Sequence, residues 1–181
     1  MGNLGIMSRS YLVEPLSAAK HRRNEFSCEE PELTEFFRQR ALPEMETRAS
    51  ACFVLAPKDD PGRVAGFYTL SAATINLAKL PPALTTELPK YPNLPATLLG
   101  RLARDQEFRG AGLGDLLVVS ALRRALGSTS SVGSVAVVAD PKNARAEDFY
   151  RKYGFRNLGG GRRMFLTMKE VAALLEKGGV A

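Results

Sequence analysis

Two periodicities organise the chain. Apolar runs of strand length alternate with stretches in which apolar residues recur every three or four positions. Tyr11 to Leu16 reads as a short first strand, stopped by Pro15. Pro31 suits a first helical turn, and Glu29, Glu30 and Glu32 complement the positive end of the helix it opens. Leu33, Phe36, Phe37 and Ala41 fall at i, i+3, i+4 and i+8, giving that helix one apolar face that leaves out Arg38 and Arg40. Pro43 is expected to end it, with a second helical piece from Glu44 to Ala49 that exposes Arg48. Ala51 to Ala56 is a buried-type strand and Lys58 to Gly62 has turn chemistry. Arg63 to Ser71 returns to complete a hairpin. Gly66 inside the return strand implies a bulge or a close backbone neighbour.

The second half follows the same logic. Leu80 to Pro95 holds Pro81, Pro82, Pro89, Pro92 and Pro95, and no regular helix or strand is expected there. It reads as a long, stiff connection, either a wall of a substrate site or a linker. Leu98 to Ala103 is a strand, and Asp115 to Leu126 a helix capped by Gly127. Val135 to Ala139 is a continuous apolar run, the mark of a strand covered on both faces. Asp140-Pro141 reads as an N-cap and first turn of a helix that runs to Tyr153 and stops at Gly154. Phe155 to Leu158 and Arg162 to Met168 resume as strands around Gly159 to Gly161, and Lys169 to Lys177 is a last short helix. There is no internal repeat and no second domain. The expected organisation is a tail or vector remnant over residues 1–10, one domain over 11–177 and a frayed end over 178–181.

Between the strand ending at Ala103 and the helix beginning at Asp115 lies Arg109-Gly110-Ala111-Gly112-Leu113-Gly114. The first N–H groups of a helix lack internal partners and carry partial positive charge, so an anion can sit there if the backbone can come close. Glycine permits that approach. A nucleotide-binding P-loop would require Lys-Ser/Thr after the last glycine, where Asp115 stands. A dinucleotide fingerprint would require a third glycine at that same Asp115. What remains is Arg109-x-x-Gly112-x-Gly114, an anion cradle of another type or a plain glycine-rich turn.

Composition narrows the chemistry. With 181 residues, 45% hydrophobic, the chain can build a globular core. No apolar run approaches the roughly 20 residues that span a membrane, and Met1 to Met7 does not read as a secretory signal. Cys28 and Cys52 are the only cysteines and His21 the only histidine, which excludes a single-chain Cys/His zinc site and disfavours a Cys–His nucleophile pair. Both thiols read as reduced, cytosolic and structural, and His21 as a solvent-facing or hydrogen-bonding residue. The net charge of +6 favours polyanionic partners, although a phosphate-bearing cofactor accounts for part of the arginine content.

The cradle resembles the acetyl-coenzyme A pyrophosphate loop of the GCN5-related N-acetyltransferases (GNAT). The stretch Asp140-Pro141-Lys142-Asn143-Ala144-Arg145-Ala146-Glu147-Asp148-Phe149-Tyr150-Arg151-Lys152-Tyr153-Gly154-Phe155 resembles the cofactor-flanking helix of the same family, in the correct chain order. Phe26-Ser27-Cys28, Gly66 to Ser71, Leu99 to Ala103 and Met164-Phe165-Leu166 are similar to one branch, the GNAT toxins of toxin–antitoxin pairs, which acetylate the amino group of aminoacyl-tRNA. The likeness covers roughly Tyr11 to Val171. It implies an α/β single domain, a mixed twisted β-sheet flanked by helices, with acetyl-coenzyme A as co-substrate and no metal. It also implies aminoacyl-tRNA as acceptor, a small DNA-binding antitoxin as partner and a cytoplasmic setting, and it leaves a homodimer open. A small-molecule or protein-amine acetyltransferase is the second reading. An antitoxin-bound DNA-regulatory protein with secondary catalysis is a third.

Under this resemblance the cofactor is held by Leu102, Ala103, Arg104, Arg109, Gly110, Ala111, Gly112, Leu113, Gly114, Asn143, Ala146 and Tyr150. Strand-edge N–H groups around Arg101 to Arg104 bind the thioester oxygen. Tyr150, the tyrosine of the Phe-Tyr pair, is the acid for the departing thiolate, with Tyr153 as rival. No strong base stands out beyond a water relay from Asp105 or Glu107. That suits an α-amine, with a pKa of about 7.7–8.0, better than a lysine near 10.4. Arg38, Arg40, Arg48, Arg101, Arg162 and Arg163 are the candidate contacts to RNA phosphates.

Overall fold

The computed structural model describes residues 10–178. Apart from Ser10 and Gly178, the tail and frayed end expected from the sequence lie outside them. Seven strands form one mixed sheet: β1 (Tyr11–Pro15), β2 (Ala51–Pro57), β3 (Gly66–Asn76), β4 (Asn93–Arg104), β5 (Ala136–Ala139), β6 (Arg156–Asn157) and β7 (Met164–Thr167), in the order β1-β2-β3-β4-β5-β7-β6. The β1–β2, β2–β3, β5–β7 and β6–β7 pairs are antiparallel, and β4 and β5 are parallel. The chain divides into two compact units, residues 1–71 with 101–121, and residues 72–100 with 122–181.

The first unit is built on phenylalanine. Phe26, Phe36, Phe37 and Phe67 are buried with Leu16, Ala41, Cys52, Val54, Val64 and Ala103. The Phe37 and Phe67 rings stack at 4.7 Å, and Phe26 meets Phe37 at 4.8 Å. Such pairs contribute about 0.5–1.5 kcal/mol each beyond the area they bury. Cys52 lies inside this core, and burial pushes its thiol up to about 12, as a structural cysteine requires. His21 is buried too. Its Nδ1 accepts the Ser17 N–H at 2.9 Å and its Nε2 lies 3.0 Å from Glu14, so it ties the segment after β1 and has no solvent-facing role.

Pro43 does not end the first helix. The chain runs from α1 (Pro31–Glu35) through a π-helical turn, Phe36–Arg40, into α2 (Ala41–Glu46), with Pro43 inside it. A π turn seeks bonds five residues apart, and Pro43 has no N–H to offer. The carbonyl of Arg38, five residues earlier, instead accepts Arg23 Nη1 at 3.0 Å. The turn also places Phe36 and Phe37 side by side in the core.

The second unit buries Ile75, Leu80, Leu94, Ala96, Ala136, Val138, Leu158 and Phe165. β3 continues to Asn76 and β4 starts at Asn93, so the connection begins and ends three residues earlier than its prolines imply, and it holds a one-turn helix, α3 (Pro82–Thr85). Pro95 is tolerated near the start of β4, where its carbonyl still accepts the Val135 N–H at 2.9 Å. Helix α4 (Leu113–Ser128) begins and ends beyond the expected bounds and contains Gly127 instead of stopping at it. Helix α5 (Ala144–Arg151) starts later than Asp140, capped by Asn143, whose side chain accepts the Ala146 N–H at 2.9 Å. Helix α6 (Met168–Lys177) opens with a capping box between Thr167 and Glu170.

Gly66 is a close backbone neighbour. A Cβ there would meet Leu117 Cδ1 at 2.9 Å and the Ala103 carbonyl at 3.0 Å. Gly66→Ala is therefore expected to cost about 1–3 kcal/mol by overpacking, read as a lower midpoint in urea unfolding at unchanged slope.

Candidate active site

The site residues fall in both units, and each group is described within its own. In the first, the end of β4 from Arg101 carries its N–H groups alternately to its two edges. The Arg101 N–H donates to Thr69 Oγ1 on β3 at 3.0 Å, and the Asp105 N–H to the Ala65 carbonyl at 2.8 Å. Leu102 and Arg104 therefore present their N–H groups to the opposite edge. The register with β5 ends at Leu99 opposite Ala139, where β5 itself stops. Beyond that point β5 does not continue the ladder, and two donors spaced by alternation face an edge where an acyl oxygen can accept them.

After β4, Asp105 makes a buried turn. Its carboxylate accepts the Ser27 N–H and the Glu107 N–H, each at 2.9 Å, and Arg63 lies 3.2 Å away. Asp105 is thus a structural anion, fully engaged, and Glu107 is itself paired with Arg63 at 2.7 Å. A short 3-10 turn, Gln106–Phe108, leads into the glycine loop. Gly110 and Gly112 take φ of 82° and 71°, conformations that side chains rarely adopt. A Cβ at Gly110 would meet nothing within 4 Å, so this glycine answers to backbone shape and the loop is open beside it. Leu113 is fully buried and starts α4, which anchors the loop at the positive end of a 16-residue helix. These features fit the diphosphate of coenzyme A.

In the second unit, Tyr150 on α5 is 8% exposed, packed against Phe155 at 5.3 Å and Phe149 at 5.4 Å. Its hydroxyl has no hydrogen-bond partner among the described residues. Burial, helped by the Asp140 carboxylate, raises its pKa above the ordinary phenol value, so it keeps its proton throughout the neutral range. Phe149 and Tyr153 are half-buried and meet edge to face at 5.5 Å. Asn143 commits its side-chain oxygen to capping the helix that carries Tyr150.

The candidate RNA arginines separate into two kinds. Arg38 Nε donates to the Phe26 carbonyl at 2.8 Å, and Arg163 makes a two-pronged pair with Asp140 at 2.8 Å on each arm. Both are committed within the fold. Arg40 and Arg101 lie over the ring of Phe36, at 5.3 and 3.7 Å, and Arg101 is 3.6 Å from Glu44. Arg48 is exposed, with φ of 63°, and Arg162 is exposed, with Nη1 on the Lys142 carbonyl. Sequence reasoning missed Thr69, whose hydroxyl receives Arg101, and the second role of Glu29, which pairs with Arg104 and Arg109. Neither has a sequence signal, because each partner is far away in the chain.

A mixed sheet with a parallel pair that parts after Leu99, a glycine loop at a helix start and a buried phenol on the next helix define an acyl-transfer fold. Comparison with known proteins agrees. Residues 17–155 match the acetyltransferase (GNAT) family, and the chain belongs to it. It is 30% identical to the probable toxin TacT of Sinorhizobium fredii, over 97% of this chain and 99% of that protein. It is 33% identical to a tRNA-acetylating toxin of Mycobacterium tuberculosis, over 83% of this chain and 88% of that one. Among solved structures, AtaT complexed with acetyl-methionyl-tRNAfMet superposes with a TM-score of 0.83 at 26% identity, covering 91% of this chain and 99% of that one. AtaTR bound with acetyl-coenzyme A superposes with a TM-score of 0.79 at 26% identity, covering 92% and 99%.

Asn143→Ala is expected to lower stability by about 1 kcal/mol through loss of the α5 cap, measured by chemical denaturation.

Proposed function

We propose that this protein transfers the acetyl group of acetyl-coenzyme A to the α-amino group of an aminoacyl-tRNA, as a toxin working in the cytoplasm beside a small DNA-binding antitoxin. The likeness to a tRNA-acetylating toxin along most of both chains supports the acceptor, as does the similarity to AtaT with its acetylated tRNA. The observation that carries the reading is the fate of the chain's bases. Its only histidine, His21, is buried on Ser17 and Glu14, and Asp105 is spent on Ser27, Glu107 and Arg63. An acceptor that loses its proton near neutrality needs no stronger base.

When bound, acetyl-coenzyme A supplies the activated acetyl group. The N–H groups from Arg109 to Gly114 hold its diphosphate, with the dipole of α4 behind them. The N–H groups of Leu102 and Arg104 receive the thioester oxygen. Tyr150 Oη holds the proton that the departing sulfur takes. Its raised pKa keeps that proton in place through the range in which the acceptor amine becomes neutral. Arg40, Arg48, Arg101 and Arg162 are the cations that meet RNA phosphates, whereas Arg38 and Arg163 act within the fold.

The direct test is incubation with labelled acetyl-coenzyme A and charged total tRNA. Label is expected on the amino acid, in a reaction that weakens steeply with added salt. Label on proteins or polyamines instead overturns the acceptor. Tyr150→Phe is expected to lower kcat about 10²-fold with coenzyme A binding retained, and full turnover would remove Tyr150 from the chemistry. For the wild type, kcat/KM is expected to rise as the α-amine deprotonates near pH 8 and then stay flat past pH ~10, since the protonated phenol persists above its ordinary range. A falling limb below pH ~9 would contradict that assignment.

A further inference from the structure

Of the three glutamates around the start of α1, Glu30 is its N-cap residue and Glu32 lies in its first turn. Glu29 points its chemistry elsewhere. Its Oε1 pairs with Arg109 Nη2 and lies 3.8 Å from Arg104 Nη2, although it precedes Arg109 by 80 residues. Arg104 ends β4 and Arg109 opens the glycine loop. Among the described residues Arg104 Nε is buried without a hydrogen-bond partner, so this guanidinium still has a donor to satisfy. One carboxylate thus gathers two guanidiniums at the mouth of an anion cradle.

A guanidinium binds carboxylates and phosphates with the same fork of donors. Glu29 offers one negative charge, whereas a diphosphate offers more charge and more acceptor oxygens. Both cannot hold the same donors, and left side by side they repel. We propose that Glu29 tunes the affinity of this site for its donor: it is an internal stand-in anion that holds Arg104 and Arg109 until the diphosphate of the acyl donor displaces it. Only a donor that carries phosphate competes with this pair, so Glu29 weakens the hold on coenzyme A and leaves phosphate-free thioesters unaffected. This rests on the reading of Arg109 to Gly114 as the coenzyme A loop.

Arg109 is 65% exposed and Glu29 37%, so the contact is solvent-screened and its displacement costs little. Glu29→Gln keeps the size of the side chain and removes its charge. Binding of coenzyme A, measured by calorimetry, is expected to tighten about fivefold in E29Q. The KM for S-acetylpantetheine, which has no phosphate, should not fall. In an Arg109→Gln background the same substitution should bring a smaller gain. Unchanged or weaker coenzyme A binding in E29Q overturns the proposal and makes Glu29 a support that orients Arg109. An equal gain for S-acetylpantetheine overturns it as well. Should E29Q fail to fold, Glu29→Ala carries the same comparison. If the wild type binds coenzyme A no better than pantetheine, the loop reading itself fails, a result separate from any effect of Glu29.

Discussion

Backbone hydrogen bonding constrains this molecule at one place above all, the point where β5 stops and β4 does not. The ladder between them ends at Leu99 and Ala139, and β4 continues to Arg104. Every N–H in a sheet needs an acceptor, and a strand that outruns its neighbour keeps donors on that edge. Bonds from Arg101 and Asp105 to the β3 side fix which N–H groups those are. A fold that spends its backbone donors fully has none to aim at a reacting carbonyl. Under the proposed function, the donors of β4 belong to a rigid strand and would cost no reorganisation when charge develops.

The polar groups around that strand hold it in place. Asp105 is almost fully buried, yet it makes no call on solvent, because backbone amides and Arg63 meet its oxygens. It pins the end of β4 to Ser27 and thereby to the phenylalanine core. Thr69 does the same one turn of the pleat earlier, taking the Arg101 N–H through its hydroxyl. Gly66 lets Leu117 and the Ala103 carbonyl approach β3 closely. Each of these three residues helps to fix where β4 stands.

Electrostatics follow the same division. The chain is basic, but many of its arginines serve as clamps: Arg23 on the π turn, Arg38 on Phe26, Arg63 on Asp105 and Glu107, Arg163 on Asp140. Net charge alone overstates the cations that face a polyanion. Two of them in the first unit, Arg40 and Arg101, lie over the ring of Phe36. Arginine over an aromatic face keeps its charge while losing little freedom, which suits a phosphate contact.

Much of the fold could be read from local pattern. The apolar runs at β2 and β5, the hairpin chemistry of Lys58 to Gly62 and the glycine loop ahead of α4 are each written within a few neighbouring residues. Local sterics and hydrophobic period decide such elements, so sequence suffices for them. The family resemblance was legible for a similar reason: Arg109 to Gly114 and Asn143 to Tyr150 are contiguous stretches. Where expectation and structure parted, a distant partner decided. Pro43 stays inside a helix because Arg23 and a π turn absorb its missing N–H. Asp140 leaves the α5 cap to Asn143 because Arg163 claims it, and His21 is buried because Glu14 and Ser17 meet both its nitrogens. Local pattern alone was enough for most strands and helices and for marking the glycine loop as the anion candidate. Tertiary structure decided which polar groups were already engaged, since a hydrogen bond between residues far apart in the chain leaves no periodic trace in it.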